Sequence, residues 1–483
     1  MMHLSEAILA SDPIRNSLSS GNEYQIVGKM AEVTDILQQL KQTYLSDNRP
    51  WIVGFSGGKD SSCLAQLVFR MMLSLPPSDR KKEVHLISAD TLVETPLIER
   101  RLTQVLAQMS SFVEKNDLPI KVHKLRPVLD ETFWVNLIGR GYPSPNRWFR
   151  WCTDRLKIRP SSRYIAEQVR KNGEVTILLG ARKSESASRA QTMGEHAIPE
   201  LSMRRHTSIP GAYIYTPLED LTTREVWAIL LQMPPPWGGT NKELVTFYRK
   251  ADGECPLVLD TTTPSCGGSR FGCWVCTVVD RDRSIEGLIE EGEEWLKPLL
   301  EFRNWLKEIR DDPSKREATR KSHKKRMIMA KKNGRDFKAP EHRGHVVLGP
   351  FTMETRHEIL RRLLETQRKL GKEGARLISN EELVAIGALW NYEGDSPKVI
   401  QRICGNSVGE IRRESSSIVS CRSDDLGSLL EICERRETPL QLIERLLAVE
   451  KDFSGLSRRR DMNSRLERIL EEHLLSELSA GGD

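Results

Sequence analysis

No apolar run in the 483 residues approaches the roughly 20 needed to cross a bilayer. The opening residues, MMHLSEAILASDPIRN, carry acids and a proline where a leader would be basic and then apolar. Membrane insertion and secretion are therefore not expected, and the chain reads as cytoplasmic. A dominant charge is missing too: 73 Lys and Arg face 67 Asp and Glu, a net of +6 that neither requires nor excludes nucleic acid. The cysteines do not form an even set. Nine of them in a long chain of cytosolic character argue against a disulfide framework, leaving metal ligation or sulfur chemistry as the default for any cluster. Internal repeats and the G-x-x-x-x-G-K-[ST] spacing of a Walker A loop are also absent. The length itself suggests two to four domains, at roughly 100 to 200 residues each, with ample material for a core.

The N-terminal half alternates short β-rich apolar runs with helical patterns, which predicts an α/β fold around an open, mostly parallel sheet. Strands are expected at 51–55, 84–89, 120–124 and 175–179. Between the first two, Leu64, Leu67, Val68, Met71 and Met72 fit one buried face of a helix over 61–73. Thr222 and Glu225 have capping-box spacing ahead of Val226, Ile229 and Leu230, so another helix should start there. MPPPWGG marks a break near Met233. From there to Asp282 the chain is rich in Cys, Gly, Thr and Pro with little helical period, and something other than a large core is expected to hold it. Helical patterns resume at 285–306 and again beyond Phe351. Residues 303–347 hold 15 Lys and Arg against 6 Asp and Glu, so the rest of the chain sums to −3 and the positive charge is local.

Ser56-Gly57-Gly58-Lys59-Asp60-Ser61 follows the first strand and opens the first amphipathic helix. Glycines permit a tight turn whose amides, with the helix N-terminus, can hold phosphate oxygens. Lys59 adds a point charge, Ser56 and Ser61 offer hydroxyls, and Asp60 suits a Mg2+ ion bridging phosphates. An ordinary βα turn is the alternative, but the complete string in this context favours phosphate binding. Asp90, just past the second strand, lies where open α/β sheets place ligands; a helix cap is its other reading.

With these residues the sequence resembles the PP-loop ATP pyrophosphatases, and within them the branch of phosphoadenylylsulfate reductases and the sulfate adenylyltransferase small subunit. The resemblance extends to Gly180-Ala181-Arg182-Lys183-Ser184-Glu185-Ser186-Ala187-Ser188-Arg189, to the segment from Pro217 through Trp227, and to Trp151-Cys152-Thr153-Asp154-Arg155-Leu156-Lys157-Ile158-Arg159-Pro160. It implies a Rossmann-like domain that binds ATP or an adenylated compound and acts at the α-phosphate. Arg182 and Arg189 suit polyanion contacts with Glu185 orienting one of them, against a solvated surface ion pair.

Cys255, Cys266, Cys273 and Cys276 supply four soft ligands within 22 residues, the last two in a CxxC turn. Such a set indicates a metal site, and spacing leaves Zn and an iron-sulfur cluster both open. The surrounding ADGECPLVLDTTTPSCGGSRFGCWVCTVVDRD, the basic SKREATRKSHKKRMIMAKKNGRDFK and GPFTMETRHEILRRLLETQRKL resemble the DndC-type proteins of bacterial DNA phosphorothioation. That resemblance implies a 4Fe-4S cluster on the four cysteines, ATP and Mg2+ at the Gly-rich turn, DNA as substrate, a cysteine desulfurase as sulfur donor, and other phosphorothioation-system proteins as partners. It also implies a layout of an N-terminal helical segment (1–45), a PP-loop domain (46–235), an iron-sulfur segment (236–300), a basic DNA-contacting segment (301–372) and a helical C-terminal region (373–483). Cys152, flanked by Arg150, Arg155 and Lys157, is a candidate reactive thiol beside Lys59 and Asp60 as catalytic groups; a packing residue next to Trp151, or a substitute cluster ligand, are its other readings. Cys63 belongs to the core, and Cys404, Cys421 and Cys433 lack ligand spacing. The rival enzymes are a phosphoadenylylsulfate or adenylylsulfate reductase, whose paired cysteines are missing here, and a tRNA thiolase. A non-catalytic DNA-binding scaffold with structural Zn is the rival outside the enzymes.

Overall fold

All four expected strands form: β1 (Trp51–Gly54), β2 (Val84–Ala89), β3 (Ile120–Leu125) and β4 (Val175–Leu178). The computed structural model describes residues 23–185, 197–198, 203–250, 272–318, 341–342, 345–346, 348–371, 376–404, 433, 438–453 and 462–480. Three more strands, β5 (Ala197–Ile198), β6 (Met203–Arg205) and β7 (Ala212–Tyr215), are too short to show a clear period. Together the seven make one sheet in the order β3-β2-β1-β4-β7-β6-β5. Its strands β3, β2, β1, β4 and β7 run parallel, while β6 is antiparallel to both β7 and β5. This is the open, mostly parallel α/β sheet that the alternating pattern predicts.

β1 and β4 are buried throughout because helices cover both faces, which is why they read as continuous apolar runs. On one face lie α1 (Glu23–Leu45), α2 (Lys59–Ser74), α3 (Pro96–Lys115), α5 (Thr223–Gln232) and α6 (Lys242–Lys250), and on the other lies α4 (Arg159–Asn172). Helix α2 inserts Cys63, Leu64, Leu67, Val68, Met71 and Met72 into the core. It starts at Lys59, two residues earlier than expected, so Lys59 and Asp60 belong to its first turn. The capping box ahead of α5 forms: the Glu225 amide donates to Thr222 Oγ1 at 3.3 Å, and Glu225 Oε2 accepts the Thr222 amide at 2.7 Å. Helix α6 forms where no helical period was expected, with its Leu244 and, from the preceding turn, Trp237 buried in the sheet's own core.

Between β3 and α4 the chain leaves the sheet. Phe133 to Ile138 and Trp151 enter a second core with α7 (Arg283–Glu290), α8 (Lys297–Arg310), α9 (Met353–Lys369), α10 (Asn380–Tyr392) and α11 (Pro397–Cys404). Buried indoles lock this union, since each finds a carbonyl across it: Trp134 Nε1 donates to Leu377 O at 2.6 Å and Trp390 Nε1 to Ile138 O at 3.0 Å. Further on, α12 (Leu440–Phe453) and α13 (Met462–Ala480) are joined by Arg445 and Glu472 at 2.5 Å. No helix among the described residues is long and apolar enough to cross a membrane. The basic stretch falls largely at 319–340, outside the described residues.

Candidate active site

The strand order reverses between β1 and β4, and the crevice at their carboxyl ends is where open sheets bind ligands. The Ser56–Ser61 turn fills the β1 side. Gly57 has φ +74°, a left-handed conformation that a side chain would strain. Ser56 Oγ and Ser61 Oγ lie 3.0 Å apart, and Ser61 Oγ donates to Gly58 O at 3.1 Å. From α6, the Tyr248 hydroxyl accepts the Lys59 amide at 3.1 Å.

From the β4 side comes Arg182. It and Lys59 are each 1% exposed, and Asp60 lies between them: Lys59 Nζ donates to Oδ2 at 2.8 Å and Arg182 Nε to Oδ1 at 2.5 Å. Arg182 also donates to Ser184 Oγ at 3.0 Å and stands 3.9 Å from Glu185. Close approach of the two loops requires Gly180, where a Cβ would sit 2.8 Å from the carbonyl carbon and oxygen of Asp60. Ser56, Gly57, Gly58, Lys59, Asp60, Ser61, Arg182 and Glu185 thus converge, while Arg189 lies outside the described residues.

A cavity opens beside this turn, lined by Ser56, Gly57 and Gly58, by Ala89 at the end of β2 and Glu94 after it, by Arg101 of α3, by Lys157 and by Trp237 and Tyr248. Lys59, Asp60 and Ser61 are not among its lining residues. Nor is Asp90, which is neither a helix cap nor turned to the cavity. Its carboxylate accepts Arg126 Nε at 2.9 Å and the Leu92 amide at 3.0 Å, with Lys124 at 3.3 Å, so it braces the turn after β2. The carboxylate in the cavity is Glu94, which accepts the Thr91 amide at 3.0 Å. Burial pushes its pKa up to about 7; Lys157 opposes the rise and Asp90 adds to it.

The same turn receives the CxxC segment. Trp274 N donates to Val93 O at 3.1 Å, Thr95 N to Gly272 O at 2.9 Å, and Thr91 Oγ1 lies 3.3 Å from Cys273 Sγ. Gly272 itself lines the cavity. Behind the thiols, buried Arg303 of α8 donates to Cys276 O at 2.9 Å, to Asp280 O at 3.0 Å and to Val279 O, fixing the path of the loop. Cys152 sits on a helical turn, Trp151–Thr153, and packs, half-buried, against the apolar cluster that Cys273 also touches. Cys255 and Cys266 lie outside the described residues; among those described, no three His, Cys, Asp or Glu are grouped to hold a metal. Cys63 is buried, as a core residue should be, and Cys404 and Cys433 are buried as well.

Sequence reasoning missed Glu94, Arg101 and Tyr248. For Tyr248 a signal existed: Thr240 and Glu243 have capping-box spacing, and Leu244 and Tyr248 stand four apart. Glu94 and Arg101 carry no local signal, because the turn after β2 orients the first and only the packing of α3 over the sheet turns the second inward.

The fold is that of an α/β protein with a Gly-rich turn and a cavity at the carboxyl ends of a mostly parallel sheet. Residues 50–278 match the family described as the phosphoadenosine phosphosulfate reductase domain. An uncharacterized protein of Methanocaldococcus jannaschii is 27% identical over 278 residues, covering 56% of this chain and 46% of that relative, so the chain spans less than half of the relative's length. Among solved structures, the U34-tRNA thiolase NcsA from Methanococcus maripaludis with its [4Fe-4S] cluster overlays 46% of this chain and 73% of its own at 17% identity and a TM-score of 0.27. Candida glabrata FMN adenylyltransferase with FAD and pyrophosphate overlays 47% and 63% at 14% identity and the same TM-score. Neither overlay bears on the chemistry of this chain.

Proposed function

We propose that the chain is an ATP-dependent sulfurtransferase acting on the DNA backbone, in DNA phosphorothioation. The observation that carries this reading is the meeting of two segments at one turn: the CxxC segment docks on Thr91, Val93 and Thr95, and Glu94 of that turn and Gly272 of that segment both line the cavity beside the SGGKDS turn. In the proposed reaction a non-bridging oxygen of a DNA phosphodiester attacks the α-phosphorus of ATP, and pyrophosphate leaves with the bonding electron pair. Hydrosulfide then attacks the activated backbone phosphorus and AMP departs, so the backbone gains sulfur where it had oxygen. Activation is required because an unactivated phosphodiester oxygen is a very poor leaving group. Lys157 and Arg101 at the cavity would offset charge building on phosphorus, and the amides of the Gly-rich turn would hold the pyrophosphate portion.

Cys273 and Cys276, two thiols on one tight turn, suit half of a four-thiolate site, with Cys255 and Cys266 as the other half. A 4Fe-4S cluster held there would supply soft sites for sulfur near the cavity. Anaerobically purified protein should then show a broad visible absorption that the Cys273→Ser, Cys276→Ser variant lacks; a colourless protein containing Zn would overturn the cluster. Asp60 does not fit a Mg2+ ion as it stands, since both its oxygens face buried cations, and no step is assigned to that ion.

A phosphoadenylylsulfate reductase is the second reading, favoured by the family match over residues 50–278. It would consume no ATP. The deciding assay is pyrophosphate release from ATP with and without DNA: the proposal requires DNA-stimulated release and at least a tenfold loss in Lys59→Ala. Release that ignores this substitution would mean that the site is elsewhere.

A further inference from the structure

Residues 140–159 hold six Lys and Arg against one acid, Asp154, and interleave them with Tyr142, Trp148, Phe149 and Trp151. The tip of this segment is a self-braced loop. Asn146 Oδ1 accepts the amides of Trp148 at 2.9 Å and Phe149 at 2.8 Å, while the Asn146 and Phe149 backbones exchange hydrogen bonds at 3.3 Å. Trp148 is 68% exposed and Phe149 41%, so the bracing holds two large rings toward solvent with an arginine on either side. The stem is tied to the thiol-bearing segment: Thr277 Oγ1 donates to Pro145 O at 2.7 Å, and Arg310 Nη1 reaches both Pro145 O and Thr277 O. Four residues beyond Trp148 comes Cys152.

The field at the stem is positive. Arg155 Nη2 donates to the Tyr142 hydroxyl at 3.0 Å with its guanidinium 5.2 Å from the ring centroid. Burial raises the Tyr142 phenol, but Arg155, then Arg468, Arg140 and Arg159, outweigh it and hold the group below the usual tyrosine range. Exposed rings between arginines fit one class of partner well. Every nucleobase has a π-face that stacks on such rings whatever its identity, and the flanking guanidiniums meet the phosphates on either side. A base inside a duplex offers no such face, so the partner must be unstacked.

We infer that the 146–150 loop is a stacking platform for an unpaired or extruded DNA nucleotide, holding the strand beside Cys152 and the CxxC segment. This rests on the DNA-backbone reading of the site but is tested separately, through binding. The probe is a fluorescently labelled, mixed-sequence single-stranded 20-mer and its duplex, titrated by anisotropy with the full chain. Trp148→Ala should weaken single-strand binding about 5- to 100-fold, as loss of one base–aromatic stack does, and Trp148→Phe should restore most of it. The salt slope should not change in Trp148→Ala but should become shallower in Arg147→Gln, Arg150→Gln. Unchanged single-strand affinity in Trp148→Ala overturns the inference. So does a shift of that variant to a smaller assembly in sedimentation with DNA binding intact, which would mark the loop as a contact between copies. If binding depends on Trp148 but DNA fails to stimulate pyrophosphate release by the wild type, the sulfurtransferase reading falls and the platform stands. If release is stimulated and Trp148→Ala binds normally, the platform alone falls.

Discussion

Asp60→Asn keeps the size of the side chain and removes the charge between two cations. Lys59 Nζ and Arg182 Nε approach the carboxylate at 2.8 and 2.5 Å, and both side chains are 1% exposed, so neither can turn to water for compensation. Breaking a buried pair from one side costs about 3–5 kcal/mol, because the surviving charge stays buried; here two cations survive, and the loss should lie at the upper end of that range. Out of the roughly 5–15 kcal/mol that hold a domain folded, such a loss moves the urea midpoint substantially. An anion reaching Lys59 would replace the missing charge. ATP should therefore raise the thermal midpoint of the variant by more than it raises that of the wild type, although the variant starts lower. Urea denaturation measures the first effect and differential scanning with and without ATP the second. A loss under about 1 kcal/mol would refute the account of the buried triad. Equal ATP shifts in the two proteins would show that the phosphates do not reach Lys59.

At Gly180, an added methyl would meet the Asp60 backbone at 2.8 Å, so Gly180→Ala should separate the two loops and cost about 1–3 kcal/mol as overpacking does; ATP affinity and thermal midpoint should fall together, and retention of both would contradict the close approach. pH dependence tests two groups of opposite sign. Glu94 is raised from 4.5 to about 7, chiefly by burial, so between these values the folded chain binds more protons than the unfolded one and stability falls as pH rises. Burial lowers His85 from 6.5 to about 4, so over a similar window the unfolded chain binds more protons and stability is lost as pH falls. The wild-type profile should be shallow, Glu94→Gln should lose stability toward pH 4.5, and His85→Gln should lose it toward pH 7.5. Thermal midpoints across that range check this, and three superimposed profiles would refute both assignments.

How much was legible depends on how far each feature reaches along the chain. β1 and β4 announce themselves because strands buried on both faces must be apolar throughout, and α2 because its apolar stripe from Leu64 to Met72 recurs at helical spacing. The turn at Ser56–Ser61 is likewise local: glycines, a lysine and hydroxyls that must be adjacent to act are adjacent in sequence. β6 and β7 pair by register alone with too few residues to carry a pattern, and α6 hides behind the Pro-Gly break that precedes it. Asp90 shows what position alone does not reveal: at its strand end the carboxylate is met by Arg126, Lys124 and the Leu92 amide.

The sequence by itself determined the fold class, the position of the Gly-rich turn, the spacing of the four cysteines and the local nature of the positive charge, because each is written in residues close together along the chain. Only the tertiary structure decided that Arg182 and Lys59 share Asp60, that Glu94, Arg101 and Lys157 wall the cavity, and that the CxxC turn docks on residues 91–95. These contacts join residues as far apart as 182 positions, as with Thr91 and Cys273. They depend on how helices lie across the sheet and on which loops its strand order brings to one edge, which no local pattern encodes.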